Sequence, residues 1–159
     1  MITLYDKNTN AKLAYLDDVI IEDSIEITRK INGEFTLKFE VLEDKLKCEY
    51  FESENYIAVD KFYFDIAYIE QTHSDSVTYR IECEHVTYRL IEEEKEFYTY
   101  DGTPEQILSD ILMETEFIVG TVEPLGITTF AVHEETNKLG LLQLLAYHTN
   151  SELDFDGFQ

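Results

Sequence analysis

Cys83 and His85, in the stretch ECEHVTY, alternate onto one face of an extended segment and together offer a thiolate and an imidazole to a metal. A zinc site takes about four ligands, and no second Cys/His pair stands near this one in sequence. The pair therefore reads as core filling, and neither a metal nor another cofactor is expected. His133 stands beside Glu134 and Glu135 in HEETN, with no further histidine at metal-binding spacing. That cluster reads as a helix entry with its acids near the positive end of the dipole. EEEKE (92–96) concentrates glutamates, but calcium loops set their oxygen ligands on defined turns with a glycine. A charged guard on a strand edge is the simpler reading. The chain has no GxSxG, no HExxH and no phosphate-cradling glycine loop. With 34 Asp and Glu in 159 residues, paired carboxylates arise from composition alone and do not single out glycosidase chemistry. No catalytic residue is assigned.

Charge is the strongest compositional signal. Twelve Lys and Arg against those 34 acids leave −22, which repels nucleic-acid phosphates and excludes a groove binder. Besides keeping the chain soluble, such acidity suits a conduit that DNA crosses without sticking, or a mimic of DNA that titrates a DNA-binding enzyme. Two cysteines, Cys48 and Cys83, make no disulfide framework. No run approaches the roughly 18 apolar residues of a membrane helix. The opening MITLYDKNTNAKLAYL has no basic n-region or long apolar h-region, so no signal peptide is expected.

The elements that must position these groups fall into two classes. The first hundred residues alternate with period two, most clearly in IEITRKINGEFTLKFEV. Asn32-Gly33 signals a hairpin. A two-residue loop would scatter apolar side chains over both faces. A three-residue loop, Ile31-Asn32-Gly33, pairs Ile27 with Leu37, Ile25 with Phe39 and Lys30 with Glu34, and leaves one face apolar. Since a one-residue slip flips every side chain, the three-residue loop is predicted, with Gly33 at positive φ as a bulge residue. KFYFDIAYIEQTHSDSVTYRIECEHVTYRL reads as a second long pair turning at 72–76, with Phe62, Phe64, Ile66 and Tyr68 on one face. EKEFYTY (94–100) reads as a short strand.

The pattern changes after Tyr100. Thr103 as N-cap, Pro104 at N1 and Gln106 at N3 form a capping box, followed by the stripe Ile107, Leu108, Ile111 and Leu112. ITTFAVHEE reads as a strand. TNKLGLLQLLAYHTN reads as a helix with Leu141, Leu142, Leu145 and Ala146 inward, weakened at Gly140 by up to about 1 kcal/mol. ELDFDGF reads as a final strand. The predicted class is α+β: an antiparallel, barrel-like β domain over 1–97, then a partial α/β domain of helix-strand-helix-strand over 101–159, expected to be truncated at its C-terminus.

The ordered set ITRKINGEFTLKFEV, YRIECEHVTYRL, YDGTPEQILSDIL, FIVGTVE, AVHEETNKLGLLQLLA and SELDFDGF resembles the N-terminal region of the phage minor structural protein family. This family is also called prophage endopeptidase tail or tail-associated lysin, and it comes from phages of Gram-positive bacteria. The resemblance implies a baseplate hub at the virion tail tip, made in the bacterial host cytoplasm. It implies a trimer in which two tube domains per subunit form a pseudo-hexameric ring continuing the tail tube for DNA passage. Implied partners are further copies of itself, the distal tail protein, the tape measure protein and downstream receptor-binding or lysin modules, with no specific nucleic-acid binding and no membrane insertion. Residues 1–97 match the first tube domain. The family name transfers no catalytic residue here, since any peptidoglycan hydrolase module would lie downstream. An acidic DNA mimic and part of a cell-wall hydrolase are the competing readings.

At physiological salt the screening length is about 8 Å, so carboxylates on a wall close around duplex DNA are felt by its phosphates. The polar face of the first hairpin, Glu26, Thr28, Thr36, Lys38 and Glu40, is the candidate lumen side. Leu153, Phe155 and Phe158 are expected to pack on the ITTFAV strand or to lend an edge to a neighbour, with the reading frame continuing past Gln159.

Overall fold

The computed structural model describes residues 1–53, 55–73, 76–92 and 94–155. It is α+β, mostly antiparallel sheet with a few helices, and divides into two compact units between Val86 and Thr87, with Ile31–Gly33 grouped with the second. The division falls before the sequence-based one near residue 97, because the strands at 94–102 pair with partners from residues 128–137.

In the first unit, strands β1 (Ile2–Tyr5), β2 (Lys12–Tyr15), β3 (Glu26–Arg29), β4 (Phe35–Leu42), β5 (Tyr56–Val59), β6 (Phe62–His73) and β7 (Val77–His85) form one antiparallel sheet. Their order is β2-β1-β5-β6-β7-β4-β3. A four-residue helix, α1 (Lys45–Cys48), follows β4 and is capped by Asp44. The ladder pairs Ile27 with Leu37 and Glu26 with Lys38, the register of the three-residue loop. Lys30 and Glu34 close it through backbone (2.7 Å) and side chains (2.6 Å). A left-handed φ in this loop lies at Asn32 (51°).

Alternation places Phe35, Leu37, Phe39 and Val41 of β4 in the core with Leu4, Ile57, Phe64, Ile66, Ile81 and Cys83. Two expectations need correction. Ile27, opposite Leu37, stays 47% exposed because β3 is an edge strand, and Ile25, expected opposite Phe39, lies before β3 outside the ladder and is 42% exposed. Tyr68 does not share the face of Phe64 and Ile66. The register with β7 steps from Ile66↔Cys83 to Tyr68↔Glu82, so Ala67 is an extra residue. The bulge turns Tyr68 outward and lets Ile69 pack on the core opposite Ile81.

The sheet is not closed into a barrel: β2 and β3 are its two ends. It is nevertheless strongly curled. Residues 19–21 pair beside β4, with Leu42 N–H donating to the Val19 carbonyl and Ile21 N–H to the Glu40 carbonyl, both at 2.9 Å. The chain thus leaves β2 at one end and reaches β4 at the other within four residues, a span of at most about 14 Å. In a flat sheet those positions would stand about 29 Å apart. Leu16, fully buried, sits on this crossing and fills the space that curling encloses.

The second unit contains β8 (Glu94–Lys95), β9 (Tyr98–Gly102), α2 (Pro104–Ile111), β10 (Thr128–Val132), β11 (Thr136–Asn137) and α3 (Lys138–Thr149). β9 pairs with β10 and β8 with β11. The Thr103 and Gln106 capping box is present, with Pro104 in the first turn. Ile107 and Ile111 pack with Leu141, Leu142, Leu145 and Phe130. Buried Lys138 donates its Nζ to the Met113 carbonyl (2.9 Å) just past α2. No strand forms over Ser151–Phe155, against expectation. Leu153 and Phe155 still pack on the cluster that holds Phe130. Asn32 holds this segment, donating Nδ2–H to the Ser151 carbonyl (3.1 Å) and accepting from Leu153 N–H at Oδ1 (2.8 Å). Phe158 lies outside the described residues. Among the described residues no helix is long and apolar enough to cross a membrane.

Gly140 is more than a weak point of α3. A Cβ there would overlap Thr136 Oγ1, while the Gly140 N–H donates to the Asn137 cap at 2.8 Å. Gly140→Ala should therefore lower stability in urea unfolding, although propensity alone predicts a gain of about 1 kcal/mol. In a Thr136→Ala background the same change should become stabilising.

Candidate functional site

Cys83 and His85 do not form a ligand set. Both point into the core of the first unit, and among the described residues no group of three or more His, Cys, Asp or Glu could hold a metal ion. Burial pushes the Cys83 thiol well above its usual range. His85 stacks on Phe35 at 4.4 Å and meets Phe62 and Phe64 edge-on. Desolvation, reinforced by the Arg29 charge and opposed by Asp65, lowers its pKa to about 4. In the second unit His133 leans on Phe97 (5.2 Å). Glu134 and Glu135 precede β11, so the first turn of α3 carries no acid, contrary to the helix-entry reading. The EEEKE stretch contributes Glu94 and Lys95 to β8, exposed and paired with β11.

The five hairpin residues do come together. Thr36, Lys38 and Glu40 alternate with the buried residues of β4 and face outward, and β3 sets Glu26 opposite Lys38 and Thr28 opposite Thr36. The neighbouring strands extend this face beyond what the hairpin alone displays. β7 places Glu84, Glu82 and Arg80 opposite Thr36, Lys38 and Glu40. β6 places Asp65, Tyr68 and Glu70 opposite Glu84, Glu82 and Arg80. Among the described residues of these four strands, the face thus carries six carboxylates (Glu26, Glu40, Asp65, Glu70, Glu82, Glu84) against two cations (Lys38, Arg80).

Both cations are held by one acid. Lys38 Nζ lies 3.2 Å from Glu82 Oε2, and Arg80 Nη2 lies 3.0 Å from Glu82 Oε1. Cross-strand pairing aims Lys38 at Glu82, and the two-residue step along β7 brings Arg80 to the same carboxylate. Beside this triad a shallow concavity is lined by Ile21, Asp23, Ser24, Glu26, Lys38, Glu40 and Arg80. Its rim is a 3-10 turn, Glu22–Ser24, that interrupts pairing with β4, where Ser24 Oγ accepts the Glu40 N–H (2.8 Å).

The sequence reading missed Asp65, Glu70, Arg80, Glu82 and Glu84. For Arg80, Glu82 and Glu84 the signal was present in strict alternation with Ile81, Cys83 and His85, but the pairing of β4 with β7, and of β6 with β7 across the bulge, lay beyond local pattern. Gly33 lies exposed in the hairpin turn. Thr103, Pro104 and Gln106 serve α2 alone.

An open antiparallel sheet with an outward face of charged side chains is followed by a small unit of short strands and helices. The match to the family described as prophage endopeptidase tail N-terminal domain runs over residues 2–85, and the chain belongs to that family. Its role is that of a phage tail structural component. The crystal structure of prophage tail protein gp18 from Listeria monocytogenes EGD-e has a similar fold. At 17% identity and a TM-score of 0.69, the likeness covers 91% of this chain and 44% of that one. The chain thus spans less than half the length of that neighbour. No curated protein matches it.

Two outcomes follow from these electrostatics. His85 is buried as the neutral ring, with its folded pKa of about 4 below the unfolded value near 6.5. Above pH 6.5 both states are neutral. As pH falls from 6.5 to 4 only the unfolded chain gains the proton, and stability drops by up to about 3 kcal/mol. Urea unfolding across that range should show this slope, and His85→Phe should remove it. Lys38→Glu would set a third acid between Glu26 and Glu82. It should cost about 1 kcal/mol at low salt, most of it recovered at 1 M salt, where screening is about 3 Å.

Proposed function

We propose that this chain is the N-terminal region of a baseplate hub. In the assembled virion it would form part of a trimeric ring at the tail tip that continues the tail tube below the distal tail protein. DNA would leave through that ring once the tape measure protein has cleared it. The observation that carries this reading is the outward face of the sheet, with six carboxylates against two cations that are both occupied. Duplex DNA carries about one negative charge per 1.7 Å of axis. A wall with surplus negative charge, whose Lys38 and Arg80 are already engaged, lets such a polymer slide without a resting place.

The match to a tail-domain family and the fold of a prophage tail protein support the tail setting. Further sequence would supply the second tube domain of the ring and any receptor-binding or lysin module. This domain would carry no catalytic step.

Native mass spectrometry of the full-length gene product tests the assembly. A trimer is expected. A strictly monomeric product across micromolar concentrations contradicts the hub reading.

A further inference from the structure

We propose that Glu82 is the residue that keeps nucleic-acid phosphate off this face, by occupying both of its cations. The inference rests on the conduit reading for its biological meaning, but its chemistry is local.

Lys38 on β4 and Arg80 on β7 stand on the middle two of the four strands β3, β4, β7 and β6, where a passing phosphate would meet them. Each has other acids nearby in register: Glu26 opposite Lys38, and Glu40 and Glu70 opposite Arg80. Yet, among the described residues, the ion pairs that Lys38 and Arg80 form are the two to Glu82, one through each carboxylate oxygen. A guanidinium or ammonium whose donors already point at a carboxylate offers them to a phosphate only after breaking that contact. Glu82 is itself held in the sheet between Ile81 and Cys83, both buried, with its side chain 30% exposed. It is thus a fixed counter-ion rather than a swinging one. The surrounding acids lower the local potential, while Glu82 removes the sites.

Net charge and site occupancy can be separated by charge-matched variants. A background of Glu26→Gln, Glu40→Gln and Glu70→Gln leaves three carboxylates against the two cations. Adding Glu82→Gln frees both cations, and adding Glu84→Gln instead gives the same net charge with the triad intact. Binding of a short DNA duplex at low salt, read by fluorescence anisotropy with circular dichroism as the fold check, distinguishes them. The Glu82→Gln form should bind at least ten-fold tighter, with a salt slope larger by about two phosphate contacts. Equal binding, or no binding by either, overturns the proposal. If the combined variants fail to fold, single Glu82→Gln and Glu84→Gln carry the comparison. Duplex-induced amide shifts at Lys38 and Arg80 should then appear only in the first, and equal shifts in both overturn the assignment. Binding by the unmodified chain would instead sink the conduit reading, whereas a monomeric full-length protein would sink the hub reading without touching Glu82.

Discussion

A lone sheet with one apolar face has to bury that face against itself, and the rest of the first unit follows from this constraint. Alternation, cleanest in β4 and at the end of β7, puts the apolar residues of the sheet on one side. With no second sheet among the described residues of this unit to cover that side, burial requires curling, and the four-residue passage from β2 to the flank of β4 enforces it. The bulge at Ala67 serves the same end: it bends the longest strand and keeps Ile69 on the inside. Burial at about 25 cal/mol per Å² favours this arrangement over any register that exposes Phe39, Phe64 or Leu37.

The polar face is the other consequence of that packing. Because the side-chain period is two, every residue that seals the core fixes a partner that faces out, and the core register sets the order of charges on the wall. Lys38 meets Glu82 because Leu37 meets Cys83 and Phe39 meets Ile81. Exposed ion pairs contribute little to stability, typically below about 1 kcal/mol each. In the proposed conduit their effect would lie in what they deny to a ligand. In this way the hydrophobic register, which holds the fold together, also disposes the chemistry that a polyanion would meet.

Much of this was legible in residue order. The three-residue loop followed from a comparison of two registers around Asn32-Gly33, and the capping box at Thr103 and Gln106 marked the start of α2 within a residue. The apolar stripe of α3 was equally plain. What escaped were features that need a partner distant in sequence. Tyr68 looked inward because FYFDIAYIE alternates until Ile69 breaks step, and only β7 shows where the extra residue sits. The half-exposed Ile27 reflects an edge position that pattern cannot reveal. The acids of β6 and β7 joined the hairpin's face only through long-range pairing. Gly140 read as a weakness because its neighbour Thr136 makes a contact that propensity does not register.

In the proposed hub, the outward face of β3, β4, β7 and β6 would line the path of DNA. A density map of the intact tail tip by electron cryomicroscopy addresses it directly. Glu40, Glu70, Glu82 and Glu84 are expected to point into the axial channel. A map in which that face lies on the outside of the tail, or is buried against another tail protein while a different surface lines the channel, would contradict it.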